Sequence, residues 1–212
     1  MKISTLLSTT LPSLSLALPS PNSLHTDKSN NDLSPRQFPD FAPNGPEFRL
    51  QTRLADQNDT TKSAYSGLYL STYHTGAGLS DVVFVANETL GAKAFLNESV
   101  PETAPGGQLE FDFGNDSCLT DDDLGDGSFP WGLRLGYEPY AKWSTVIVQA
   151  GLGDQGFVYG EQGLVYNLTQ FAGWMVCDWW HGAPQLFWLM NVVGAYEVPS
   201  SCAEVLLLKT DV

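Results

Sequence analysis

The chain has 212 residues and a formal net charge of −14, with 16% of residues charged and 12% aromatic. That length is enough for one well-buried core and too short for two comfortable domains once the ends are set aside. The acidic balance, with no Lys/Arg cluster to track a phosphate backbone, excludes nucleic acid and an anionic membrane surface as expected partners.

Met1-Lys2 and the apolar stretch Ile3 to Leu18, diluted with Ser and Thr, read as a signal peptide over residues 1–17. Ser15 and Ala17 supply the small residues that a signal peptidase reads. The stretch is too short and too polar for a membrane span, and the carboxy-terminal residues give no hydrophobic tail for lipid anchoring. No membrane anchor is expected, and the mature protein is expected outside the cell. Residues 18–45 are rich in Pro, Ser, Asn and Asp without an apolar period, which predicts a flexible leader. The remaining residues, 46–212, are expected to form one all-β domain.

Along that domain the apolar period is two. Phe48, Leu50 and Leu54 alternate with Arg49, Gln51 and Arg53, and Leu68, Leu70 and Thr72 oppose Tyr69, Ser71 and Tyr73. Asp81 to Ala86 is a compact apolar run. Leu109, Phe111 and Phe113 alternate with Glu110 and Asp112, and Trp131 to Tyr137 repeats the pattern. Trp143 to Ala150 is rich in β-branched residues. Phe157-Val158-Tyr159 and Leu164-Val165-Tyr166 flank Gly160-Glu161-Gln162-Gly163, which predicts a hairpin with a four-residue loop. Gly173 to Trp180 and Gln185 to Met190 surround a turn at His181-Gly182-Ala183-Pro184, and Ala203 to Leu208 closes the domain. No stretch carries a capped helical period. The expectation is a compact antiparallel β-sandwich or closed β-barrel. A β-trefoil also fits the strand count, although no threefold repeat shows in the sequence.

Asn58, Asn87, Asn97, Asn115 and Asn167 each open an Asn-x-Ser/Thr sequon in a polar, turn-like stretch, where a glycan is expected. Five exceed the roughly one or two that chance supplies for this pattern. Of the three cysteines, Cys177 and Cys202 lie in apolar strand-like segments near the end of the chain and are expected to pair. Cys118 follows a sequon and stays open between a free thiol, an intermolecular bridge and a partner for one of the other two.

Candidate chemistry is sparse. His25 falls in the leader, which leaves His74 at a strand end and His181 in the Asp178-Trp179-Trp180-His181-Gly182 turn. No G-x-S-x-G elbow, H-E-x-x-H pair or Cys-x-x-Cys ligand set is present, so no cofactor is expected. Asp121, Asp123 and Asp126 form a weak calcium candidate whose spacing fails the EF-hand pattern, and a solvated acidic loop is the preferred reading. Glu110, Asp112, Asp178 and Glu197 could supply the two carboxyls of a glycoside hydrolase, but nothing singles out a pair. The most distinctive feature is aromatic: Trp174, Trp179, Trp180, Phe187 and Trp188, after Trp131 and Trp143. Such rings fill the core of a small β-domain or, when exposed beside polar groups, stack on sugars.

The order Phe48-Arg49-Leu50-Gln51-Thr52, Gly67-Leu68-Tyr69-Leu70, His74-Thr75-Gly76-Ala77-Gly78 resembles an uncharacterised family of small secreted fungal proteins. Gly173-Trp174-Met175-Val176-Cys177-Asp178-Trp179, Pro184-Gln185-Leu186-Phe187-Trp188 and Cys202-Ala203-Glu204-Val205 complete the resemblance. It covers about residues 46 to 209 and implies a secreted, fungal, single-domain protein with no assigned catalytic residues. It also strengthens the pairing of Cys177 with Cys202. The expected function is a non-enzymatic extracellular module that binds a cell wall or host surface, with cell-wall polysaccharide or an extracellular protein as partner. Trp179, Trp180, His181 and His74 are its candidate ligand residues. The alternatives are a carbohydrate-active hydrolase and a secreted effector or inhibitor acting on a partner protein.

Overall fold

The computed structural model describes residues 45–97, 106–113, 131–138, 141–179, 181–191 and 197–212. The signal peptide, nearly all of the leader, Trp180, Asn115, Cys118 and the Asp121, Asp123 and Asp126 candidate lie outside these residues. The described chain forms twelve strands: β1 (Arg49–Leu54), β2 (Tyr69–Gly76), β3 (Leu79–Val85), β4 (Lys93–Asn97), β5 (Gly107–Asp112), β6 (Trp131–Leu135), β7 (Trp143–Ala150), β8 (Gln155–Gly160), β9 (Gly163–Tyr166), β10 (Phe171–Asp178), β11 (Pro184–Met190) and β12 (Cys202–Thr210). Every ladder between them is antiparallel. Two 3-10 turns, Thr60–Tyr65 and Glu88–Leu90, are the only helical elements among the described residues.

The pairing repeats three times. Hairpins β2–β3, β6–β7 and β10–β11 each place two large residues directly opposite one another: Leu70 and Phe84, Leu133 and Val148, Trp174 and Trp188. All six are buried, and the residues two positions earlier on the second strands, Val82, Val146 and Leu186, have no exposed surface. Each hairpin returns to the same place. Ala92 N–H donates to the Leu70 carbonyl, Asp154 N–H donates to the Leu133 carbonyl, and Val205 pairs with Trp174.

The second strands of the hairpins pair in a triangle, β3 with β7, β7 with β11 and β11 with β3. Successive four-strand units join through β4–β5, β8–β9 and β12–β1. This is the connectivity of a β-trefoil, and it selects among the three arrangements that the strand count allowed. The six outer strands do not form a continuous barrel ladder. β1 meets β4 at the single bridge Phe48–Ala94, and β9 lies against β12 without paired residues among those described.

The alternation read from the sequence follows burial in β1 but not in β5, where Glu110 on the polar phase is buried with its neighbours. In β1, Leu50, Thr52 and Leu54 are buried and Arg53 is exposed, and the buried Thr52 hydroxyl accepts from Leu68 N–H at 3.0 Å. Buried polar groups need such partners. The predicted four-residue hairpin loop is tighter than expected. Gly160 pairs with Gly163, leaving Glu161 and Gln162 as the turn, with the positive φ of 86° at Gly163 closing it. A Cβ at Gly163 would also strike the Leu207 carbonyl, so glycine is required there twice over.

Cys177 and Cys202 stand directly opposite one another on β10 and β12 and form the disulfide. With Met175, Phe187 and Leu189 they make a second apolar cluster, against which Trp143 and Val198 pack.

Candidate functional site

β10 and β11 pair as far as Asp178 and Pro184, and Trp179 and residues 181–183 are the described part of the connection between them. Gly182, at φ 71°, supplies the left-handed turn that brings the loop back over the neighbouring hairpin. There His181 Nε2 lies 2.7 Å from Asp81 Oδ2, and the imidazole stacks on the Tyr73 ring with centroids 4.1 Å apart and planes 23° apart. Tyr73 and Asp81 are directly opposite on β2 and β3, so the two anchors of His181 come from one cross-strand pair.

The three hairpins lock together in related ways. Trp188 Nε1 on β11 donates to the Gly136 carbonyl beyond β6 at 2.7 Å, and Ala150 N–H on β7 donates to the Gly78 carbonyl in the β2–β3 turn at 2.9 Å.

The aromatic cluster divides by exposure. Trp174 and Trp188 are core residues at 2% and 3% exposure, whereas Trp179 is 56% exposed and sets its edge against Phe187, centroids 5.5 Å apart. Tyr73, at 47%, is the second exposed ring beside the His181 contact. His181 itself is largely covered, with 7% of its side chain accessible against 17% for Asp81. His74 is exposed but pairs with Ser80, on the opposite phase of the β2–β3 hairpin from Tyr73 and Asp81. The structure therefore brings Trp179 and His181 together on one loop and places His74 on another face.

Tyr73 and Asp81 escaped selection as site residues from sequence. The available signal was Tyr73 itself, a large ring on the polar phase of an amphipathic strand.

The four carboxylates considered for hydrolysis do not converge on this loop. Glu110 and Asp112 share one face of β5, Asp178 ends β10, and Glu197 precedes β12. Glu110 has no exposed surface. Burial pushes its carboxyl above the ordinary value of 4.5, opposed by the Asn97 side chain. Near the disulfide, burial and then Asp178 raise the Tyr65 phenol, whose hydroxyl donates to the Ser201 carbonyl at 2.8 Å. Among the described residues no group of three or more His, Cys, Asp or Glu is arranged to hold a metal, and no helix is long and apolar enough to cross a membrane.

Of the sequon residues, Asn58, Asn87 and Asn167 are exposed outside the strands. Asn97 differs from the turn-like setting expected for it: it ends β4 half-buried, paired with Gln108.

A family model described as Domain of unknown function (DUF7907) matches residues 45–210. The chain belongs to this family. The matched span contains all twelve strands and the whole Tyr73–Asp81–His181 arrangement, so the loop and its anchors are part of the family domain. No curated protein and no solved structure matches the chain.

Proposed function

We propose that the chain is a secreted fungal glycoprotein whose DUF7907 domain is a non-enzymatic binding module for cell-wall polysaccharide. The observation that carries this reading is the pairing of two exposed rings, Trp179 and Tyr73, with the polar pair Asp81–His181 at one hairpin junction. Exposed aromatic faces give a sugar ring an apolar platform, while adjacent carboxylate and imidazole groups hydrogen-bond its hydroxyls.

The loop is anchored at both ends by β10 and β11 and in its middle by His181. The platform is therefore held in place before ligand arrives, which lowers the ordering cost of binding. Extracellular location is supported by the amino-terminal signal pattern, the Cys177–Cys202 disulfide and the sequon excess. The non-enzymatic reading is supported by the dispersal of the candidate carboxylates and by Glu110 having no surface to offer a substrate.

The test is incubation of the purified secreted protein with insoluble cell-wall polysaccharides, measuring depletion from solution and released sugar together. Depletion without release is the expected result. Release abolished by one Asp or Glu change at intact fold would make the protein a hydrolase. Neither depletion nor release would turn the search to a protein partner.

A further inference from the structure

Beside the His181 loop, four strands present one row of directly opposite residues: Tyr73 on β2, Asp81 on β3, Ile147 on β7 and Arg134 on β6. Period-two alternation puts Thr145 and Gln149 on the same face of β7 as Ile147, and Leu79 on the same face of β3 as Asp81. Thr145, Leu79 and Arg134 are exposed, and Ile147 and Gln149 are partly so. Thr145 pairs with Phe187, the residue against which Trp179 packs, so the two exposed rings border this face on the β2 and β11 sides. Three inter-strand steps make the row roughly 14 Å long.

We propose that this face binds an uncharged polysaccharide chain along its length, with Arg134, Thr145 and Gln149 as ligand residues beyond Tyr73 and Trp179. The proposal rests on the polysaccharide reading above and names the ligand's chemistry and its mode of binding.

Three observations carry it. First, the face is open. Tyr73, Leu79, Arg134 and Thr145 on it are exposed, and among the described residues the cavities beside Lys62 and Cys202, between β9 and β10, and around Arg49 and Lys93 are not lined by this row. An open face has no wall to enclose a chain end and gains contact only as the chain crosses more strands.

Second, the ionisable groups on the face each have a partner although the whole chain carries −14. Asp81 is held by His181, and Arg134 Nε lies 3.9 Å from Asp154 Oδ1. A polyanion would meet the field of an acidic protein, and a polycation would find the carboxylate of this row, Asp81, already held by His181. Hydroxyls suit both, because Arg134 offers donors, Asp81 acceptors, and Thr145 and Gln149 either. Third, of the sequon residues within the described chain, Asn58, Asn87, Asn97 and Asn167, none falls on β2, β3, β6 or β7.

The test uses the full secreted protein with soluble β-1,3-glucan, β-1,4-xylan and mannan, each with its own oligomers of two to six units, and polygalacturonate as the acidic comparison. Binding is read at low and high salt for wild type, Arg134→Ala and Gln149→Ala, with urea midpoints confirming that these surface changes leave the fold intact. The expected result is retention of at least one neutral polymer, affinity at least about tenfold weaker for its two-unit than its six-unit oligomer, little salt effect, and a loss of about fivefold or more in each variant. Wild-type binding that both variants keep in full, a two-unit oligomer that binds as well as six, or a salt-sensitive preference for polygalacturonate overturns the proposal while leaving a sugar-binding module standing. Retention of none of the polymers, by contrast, removes the polysaccharide reading itself.

Discussion

Glu110 shows how a single side chain sets a pH dependence. Its carboxyl has no exposed surface, and the Asn97 side chain opposes the effect of that burial. Burial therefore raises its pKa above 4.5 in the folded protein. A carboxyl raised in this way contributes its full stability below 4.5 and loses it as pH rises through the raised value. We expect the urea midpoint of the wild type to fall between acid and neutral pH, and that of Glu110→Gln to fall less. At neutral pH the variant should be at least as stable as the wild type, because the amide cannot carry a charge into the interior. A variant less stable than wild type at neutral pH would show that the contact with Asn97 outweighs the cost of burial.

The site was only half legible at this scale. Trp179 and His181 stand out in the sequence because a Trp-Trp-His-Gly turn is locally unusual. Asp81 lies 100 residues from His181, and only the pairing of β2 with β3 brings it beside Tyr73 and under that imidazole.

At the scale of elements, alternation located most strands well. β7 occupies the predicted Trp143–Ala150, and β5 carries the predicted Leu109 and Phe111 inward. β4, Lys93-Ala94-Phe95-Leu96-Asn97, was missed because its three consecutive apolar residues show no alternation. The Cys177–Cys202 bridge, with a sequence separation of 25, removes unfolded-state entropy worth about 3.5 kcal/mol in the loop-closure model. Reduction should lower the denaturant midpoint by a corresponding amount, and an unchanged midpoint would mean that the β10–β12 ladder holds without it.

Gly132 on β6 lies so close to Gly153 that a Cβ would meet its backbone nitrogen. Gly132→Ala should therefore cost about 2 kcal/mol or more, read as a shifted thermal midpoint. Asp81→Ala should loosen the loop more than the fold. Hydrogen exchange should rise at residues 181–183 while the β6–β7 hairpin stays protected, and equal protection in both proteins would show that Asp81 does not anchor the loop.

For the whole molecule, threefold organisation was invisible in the sequence because equivalent positions hold different residues: Leu70, Leu133 and Trp174 on one side, Phe84, Val148 and Trp188 on the other. What the equivalent positions share is burial and cross-strand pairing rather than identity or size, so the repeat survives in pairing and not in letters. The net charge of −14 acts at this scale as well. It is expected to weaken the fold through self-repulsion at low ionic strength, so moderate salt should raise the thermal midpoint.

The most direct test of the binding account is depletion of wild type, Tyr73→Ala, Trp179→Ala and the double variant by the polysaccharide that retains the wild type, with unfolding curves run in parallel. Each single change should weaken retention several-fold, since a stacking contact is worth about 1 kcal/mol, and the double change should abolish measurable depletion while the protein stays folded. Undiminished retention by a folded double variant would contradict the account and place the ligand elsewhere on the domain.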